Sequence, residues 1–152
     1  MKRAHSYRLS SRRGASVVEG AIVLAVTLLL VFGGLDLGLA VTRYNALCEG
    51  ARRAARSAIV RGAASTQLGS LGPTSMDFAA ADSNAVADSF RYVLPTMNPA
   101  EVDVRVEWPD GSNQVGDRVR VTLEYQHRSV VPAFLGLGNL DLKAVSTMSI
   151  GH

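Results

Sequence analysis

The sequence predicts an α+β protein hung on a membrane-crossing N-terminal helix, and three observations carry that expectation. A stretch without a charged residue runs from Gly20 to Leu35. Apolar residues then recur at helical spacing to about residue 61, and beyond residue 100 apolar and polar residues alternate with the period of strands. The 152 residues have room for one modest domain beside an anchor, which excludes a large multidomain enzyme. The predicted order is a basic leader at 1–14, a transmembrane helix at 15–41 and an amphipathic continuation at 42–61. An external α+β head at 62–152 follows, with a second short helix and a small antiparallel sheet packed on the long helix.

The leader holds Lys2, Arg3, Arg8, Arg12 and Arg13, all ahead of the first carboxylate, Glu19. Without residues 1–14 the formal charge of +3 becomes −2, from 11 basic against 13 acidic residues. The basicity therefore belongs to the leader and not to the head, which argues against a nucleic-acid partner.

From Ala15 to Val41 a helix reaches about 40 Å, enough to cross a bilayer with its interfaces. Val23, Leu24, Val26, Leu28, Leu29, Leu30, Val31 and Phe32 make it apolar all round, as a lipid-facing helix must be. A secretory signal peptide cut near Gly38 or Ala40 is the rival reading. Against it stand Glu19 at the head of the apolar run, the length of that run, and a helical pattern that continues past Ala40. Arg43, Arg52, Arg53 and Arg56 nearly balance the leader's basic residues, so the positive-inside rule gives only a slight lean to a cytoplasmic N-terminus. The short leader and the large C-terminal domain point the same way. Asp36 is expected at the external interface, reaching water or a nearby arginine.

In the segment Arg12-Arg13-Gly14-Ala15-Ser16-Val17-Val18-Glu19, a glycine follows the basic leader five residues before a carboxylate at the head of an apolar helix. This arrangement resembles a type IV prepilin. The resemblance implies cleavage between Gly14 and Ala15 by a prepilin peptidase, with Glu19 as the fifth residue of the mature chain and its assembly residue. A carboxylate has a physical use there. Cleavage leaves an ammonium at Ala15, and a helix moved from lipid into a bundle would bury that charge unless a neighbouring subunit's carboxylate lay close. Glu19 can also be read as a residue that snorkels to the interface or complements the helix dipole.

Farther along come Gly34-Leu35-Asp36-Leu37-Gly38, Tyr44-Asn45-Ala46-Leu47 and Ala51-Arg52-Arg53-Ala54-Ala55-Arg56. In this order, from Arg13 to about Arg61, the chain resembles the TadE-like family. Its members serve as minor pilins or pseudopilins of the tight-adherence (Flp pilus) machinery. Gly20 and Ala25 depart from that pattern, where an aromatic residue and a proline are usual. The resemblance implies a structural component of a bacterial inner-membrane assembly, with the prepilin peptidase, other pilins or pseudopilins, the assembly platform and lipid as partners. The alternative is a single-pass anchored envelope binding module that never enters a filament.

From Arg43 onward Tyr44, Leu47, Cys48, Ala51, Ala55, Ala58 and Ile59 form one helical face, and Gly62 is a plausible stop. Arg52, Arg53 and Arg56 read as a solvated face. Residues 62–75, rich in Gly, Ser, Ala and Thr, read as a loop or flexible linker. A second helix is expected from about Asp77 to Val93, closed by Pro95. Val102, Val104, Val106 and Trp108 then alternate with polar residues, as do Val119, Val121, Leu123 and Tyr125. Pro109-Asp110-Gly111 turns between these two strands. After a connection containing Pro132, a third strand from about Leu140 to Ile150 places Leu142, Ala144, Ser146, Met148 and Ile150 on one face. Trp108 and Tyr125 are expected in the core.

The sequence offers little catalytic chemistry. Gly33, Gly34 and Gly38 lie inside the apolar helix, and the glycines from 62 to 72 lack the lysine of a phosphate loop. His5, His127 and His152 have no metal-ligand spacing, no Gly-x-Ser-x-Gly occurs, and the single Cys48 permits no internal disulfide. Cys48 reads either as a small helix residue or as one end of an intermolecular disulfide. No enzyme, metal or cofactor is expected.

Overall fold

The computed structural model describes residues 11–65, 67–129 and 139–151, with side chains from Gly14 onward. One helix, α1, runs unbroken from Ser11–Ile59, about 74 Å at the usual rise per residue. No proline interrupts it, and its second half is rich in alanine, the best helix former. The helix gives way to a turn in which Arg61 N–H donates to Ala58 O at 3.0 Å.

Four strands follow as an antiparallel sheet in the order β1-β2-β3-β4. They are β1 (Met76–Ala79), β2 (Val102–Glu107), β3 (Arg118–His127) and β4 (Leu140–Ser149). Between β1 and β2 lie α2 (Ala85–Phe90) and the short 3-10 turns Arg91–Val93 and Pro99–Glu101. The register sets Val104 opposite Leu123, Leu123 opposite Ala144, and Tyr125 opposite Leu142, so the apolar sets share one face. That face carries the core with Leu47, Ala51, Ala54, Ala55 and Ala58 of α1 and Val86, Ala87 and Phe90 of α2. Trp108 and Tyr125 are both buried, as expected.

Small residues let α1 approach closely. A Cβ on Gly50 would meet Phe90 at 3.3 Å and Leu123 at 3.4 Å, so the helix, α2 and β3 converge there. The outer face of the sheet is polar, with the ion pairs Arg105–Asp77 at 2.6 Å and Lys143–Glu124 at 2.7 Å.

Two expectations need correction. The sheet has four strands where three were expected, because Met76–Ala79 pairs with β2 instead of starting the second helix. That helix occupies only Ala85–Phe90, and its N-cap is Asn84, whose Oδ1 accepts from Val86 N–H at 2.8 Å. Four residues are too few for their alternation to outweigh the longer helical repeat, and pairing with β2 decides their state. The segment 62–75 is also no free linker. Leu71 N–H donates to Arg61 O at 2.7 Å, and the buried Asn113 ties it down by donating to Ser70 Oγ and Leu71 O, both at 3.0 Å. Gly72, at a φ of +88°, lies so close to the Trp108 ring that a Cβ would overlap it. The connection containing Pro132 lies outside the described residues.

Candidate functional site

The sequence-predicted site residues all sit on the exposed N-terminal part of α1. Gly14, Ala15 and Glu19 are exposed, and every large apolar residue from Val17 to Leu39 keeps more than a third of its surface open. Ala15 and Glu19 are four residues apart, which places them on one helix face a single turn apart. The structure brings neither near the head, because sixteen residues separate Glu19 from Asp36, the first position that touches it.

This protruding half hides its few polar groups. Thr27 Oγ1 donates to Val23 O at 2.8 Å and Thr42 Oγ1 to Gly38 O at 2.9 Å, each bonding back onto its own helix. With the backbone bonded internally, Glu19 stands as the only charged side chain between Gly14 and Leu35 in an otherwise largely apolar surface. The helix is long and apolar enough to cross a membrane, and none of its most apolar window is buried by the rest of the chain. Gly20, Gly34 and Gly38 face open space, where an added Cβ would meet nothing.

Where α1 enters the head, a polar cluster crosses from helix to sheet. His127, the last residue of β3, has a side chain only 2% exposed. Its Nδ1 lies 2.6 Å from Arg43 Nη1, and since a guanidinium only donates, Nδ1 accepts and the ring hydrogen belongs on Nε2. Nε2 stands 3.3 Å from Asp36 Oδ1 without the alignment of a hydrogen bond. Arg43 also donates through Nε to Thr96 O at 3.1 Å, and its guanidinium lies 5.5 Å from the centre of the Tyr125 ring. Buried polar groups are costly unless partnered, so this set positions α1 against the sheet.

The cluster corrects the reading of Asp36. Its side chain is 11% exposed and faces an imidazole, with the arginine on the imidazole's far side. Sequence reasoning missed the grouping, although the signal existed. Asp36 and Arg43 are seven residues apart, hence on one helix face, and His127 shares the inward parity of Val119, Val121, Leu123 and Tyr125.

Higher on α1 the arginines follow expectation. Arg52 and Arg56 are exposed, and Arg53 pairs with Glu49 at 2.7 Å and lies over the Tyr92 ring at 5.0 Å. At the far end of the head, Arg118 donates to Asp110 from its backbone N–H at 2.8 Å and from Nη2 at 2.6 Å. These bonds lower the Asp110 pKa to about 2. Among the described residues no group of three or more His, Cys, Asp or Glu could hold a metal ion. An open hollow of about 580 Å³ lies on the charged outer face of the sheet, lined by residues such as Arg105, Arg120, Glu124 and Lys143.

A protein-family model described as TadE-like protein matches residues 14–56, which is the protruding half of α1 and most of the half that packs on the head. Comparison with curated proteins and with solved structures gives no match.

Proposed function

We propose that this chain is a pilin-like structural component of a Tad (Flp) pilus or a related secretion apparatus. In this reading it is held in the bacterial inner membrane by α1, with a cytoplasmic leader and an external head. The observation that carries it is the coincidence of the TadE-like match with the uncovered apolar helix, the match beginning at Gly14. A prepilin peptidase cuts between Gly14 and Ala15, and Glu19 then serves assembly. The new ammonium at Ala15 and a carboxylate four residues on give each subunit both signs of charge near one end of an apolar rod. A neighbouring subunit shifted along the axis can neutralise both, which sets the stagger between subunits and stops unpaired charge from being buried. Its partners are other pilins or pseudopilins and the inner-membrane assembly platform, and its work is mechanical.

Intact mass and N-terminal sequencing of the native protein from membranes test the reading. A chain that begins at Ala15 is the expected result. A chain that begins after Ala40 means a secreted domain, one that begins at Met1 or Lys2 means a plain anchor, and either overturns the filament role. Glu19→Ala is expected to insert and be processed normally while the pilus fails to assemble, read by electron microscopy of shed filaments. Wild-type piliation in that variant removes the assembly role of Glu19.

A further inference from the structure

The position of the head along α1 follows from two adjacent residues. The charge-free run closes at Leu35, and the next residue, Asp36, already faces His127 at the end of β3. From Ala15 to Leu35 the helix measures about 31 Å, the thickness of a bilayer's hydrocarbon core. No break or proline interrupts α1 between this segment and the buried Ala40, Leu47 and Ala51, so no hinge sets the head apart from the span. The end of β3 and the start of β4 therefore stand level with the edge of the hydrocarbon.

What the head presents at that level suits a lipid surface. Arg128, next to His127, is exposed. Leu140, the register partner of His127, is 47% exposed. A cation beside an exposed leucine is the combination that settles at a headgroup boundary. The opposite end of the head, about 35 Å away along α1, instead carries Asp110, Gln114, Asp117 and Arg118.

We infer that the head rests directly on the bilayer through the end of the sheet that carries His127 of β3 and Leu140 of β4. Arg128 lies among the lipid phosphates and Leu140 at the boundary, and the Arg43, His127 and Asp36 cluster clamps the head in that pose. The inference rests on α1 being a membrane anchor. A lipid surface is favoured over a second copy of the chain because the unbroken helix brings the bilayer to this end in every copy.

The test uses the full chain with Cys48→Ser in vesicles of phosphatidylcholine and phosphatidylglycerol. Single labelling sites are introduced by Leu30→Cys, Leu140→Cys or Val115→Cys, and quenching is read with nitroxides on the acyl chain or the headgroup. The Leu30 site should be quenched by the acyl-chain nitroxide, and the Leu140 site by the headgroup nitroxide about threefold more than the distal Val115 site. Adding Arg128→Glu should reduce the quenching at Leu140. If the Leu30 site is quenched while Leu140 behaves like Val115, the head stands off the membrane and this inference fails with the anchor intact. No quenching at Leu30 overturns the anchor and this inference together. Shielding of the Leu140 site from aqueous iodide without nitroxide quenching, rising with protein density, would identify a second copy as the occupant and overturn the lipid assignment.

Discussion

The two halves of α1 share one backbone and meet opposite surroundings. From Gly14 to Leu39 the helix is apolar around most of its circumference and its large side chains stand exposed, whereas from Ala40 to Ile59 it carries a stripe of small and apolar residues buried by the sheet and α2. A stripe can be covered by the chain's own head, because a sheet has one face to offer. A helix that is apolar all round needs a cover on every side, which a head of this size does not supply and which lipid or neighbouring helices do.

The sharpest way to break that comparison is to remove one phenylalanine from each surrounding. Phe90→Ala, at a fully buried position packed against α1, is expected to cost about 3 to 5 kcal/mol of head stability. Phe32→Ala on the protruding half, where the side chain is exposed in the isolated chain, should change head unfolding by less than about 0.5 kcal/mol. Urea titrations in detergent compare the two, and equal costs would mean that the protruding half packs on the head.

At the boundary between the halves, His127→Ala leaves Arg43 Nη1 without its acceptor and Asp36 facing a void, with an expected loss of about 2 to 3 kcal/mol. His127→Gln can offer an oxygen to Arg43 and an amide hydrogen to Asp36, so it should lose about 1 kcal/mol or less. Equal losses in the same denaturation experiment would show that the ring's packing, and not its two polar contacts, holds the junction.

The smallest effect belongs to the far end of the head. The bonds from Arg118 stabilise the ionised form of Asp110, so its folded-state pKa lies below the unfolded one. That contribution is complete above the ordinary carboxylate range and fades as pH falls toward about 2. Carboxyl carbon NMR should follow Asp110 titrating near pH 2 in the parent and higher in Arg118→Ala, though still below 3.8 because the backbone N–H of residue 118 keeps donating to it, with only a slight change in melting temperature because the pair is exposed.

Much of the head was legible beforehand. The strands around Val102–Val106, Val119–Tyr125 and Leu142–Met148 show in the alternation of their residues, and their pairing follows once the apolar sets must share one face. Met76–Ala79 was not legible, because four residues hold too little pattern and their strand exists only by pairing with β2. Among the site residues, Gly14, Ala15 and Glu19 stand out because their neighbours in the chain are enough to mark them. Asp36 and Arg43 share a helix face and His127 has the inward parity of β3, but no local pattern marks that the three meet.

The sequence by itself determined the charge-free run, the change from an all-round apolar helix to a striped one, and the isolation of Glu19. These are properties of residues within a turn or two of one another, where backbone geometry alone sets what lies on which face. Only the tertiary structure decided that Asp36 belongs to the head and that β1 closes the sheet. It also decided that His127 accepts from an arginine 84 residues away. Contacts across such distances depend on the angle and register at which α1 crosses the sheet. Those are chosen by the packing of Gly50, Phe90 and Leu123 as a set, and no single stretch of sequence encodes them.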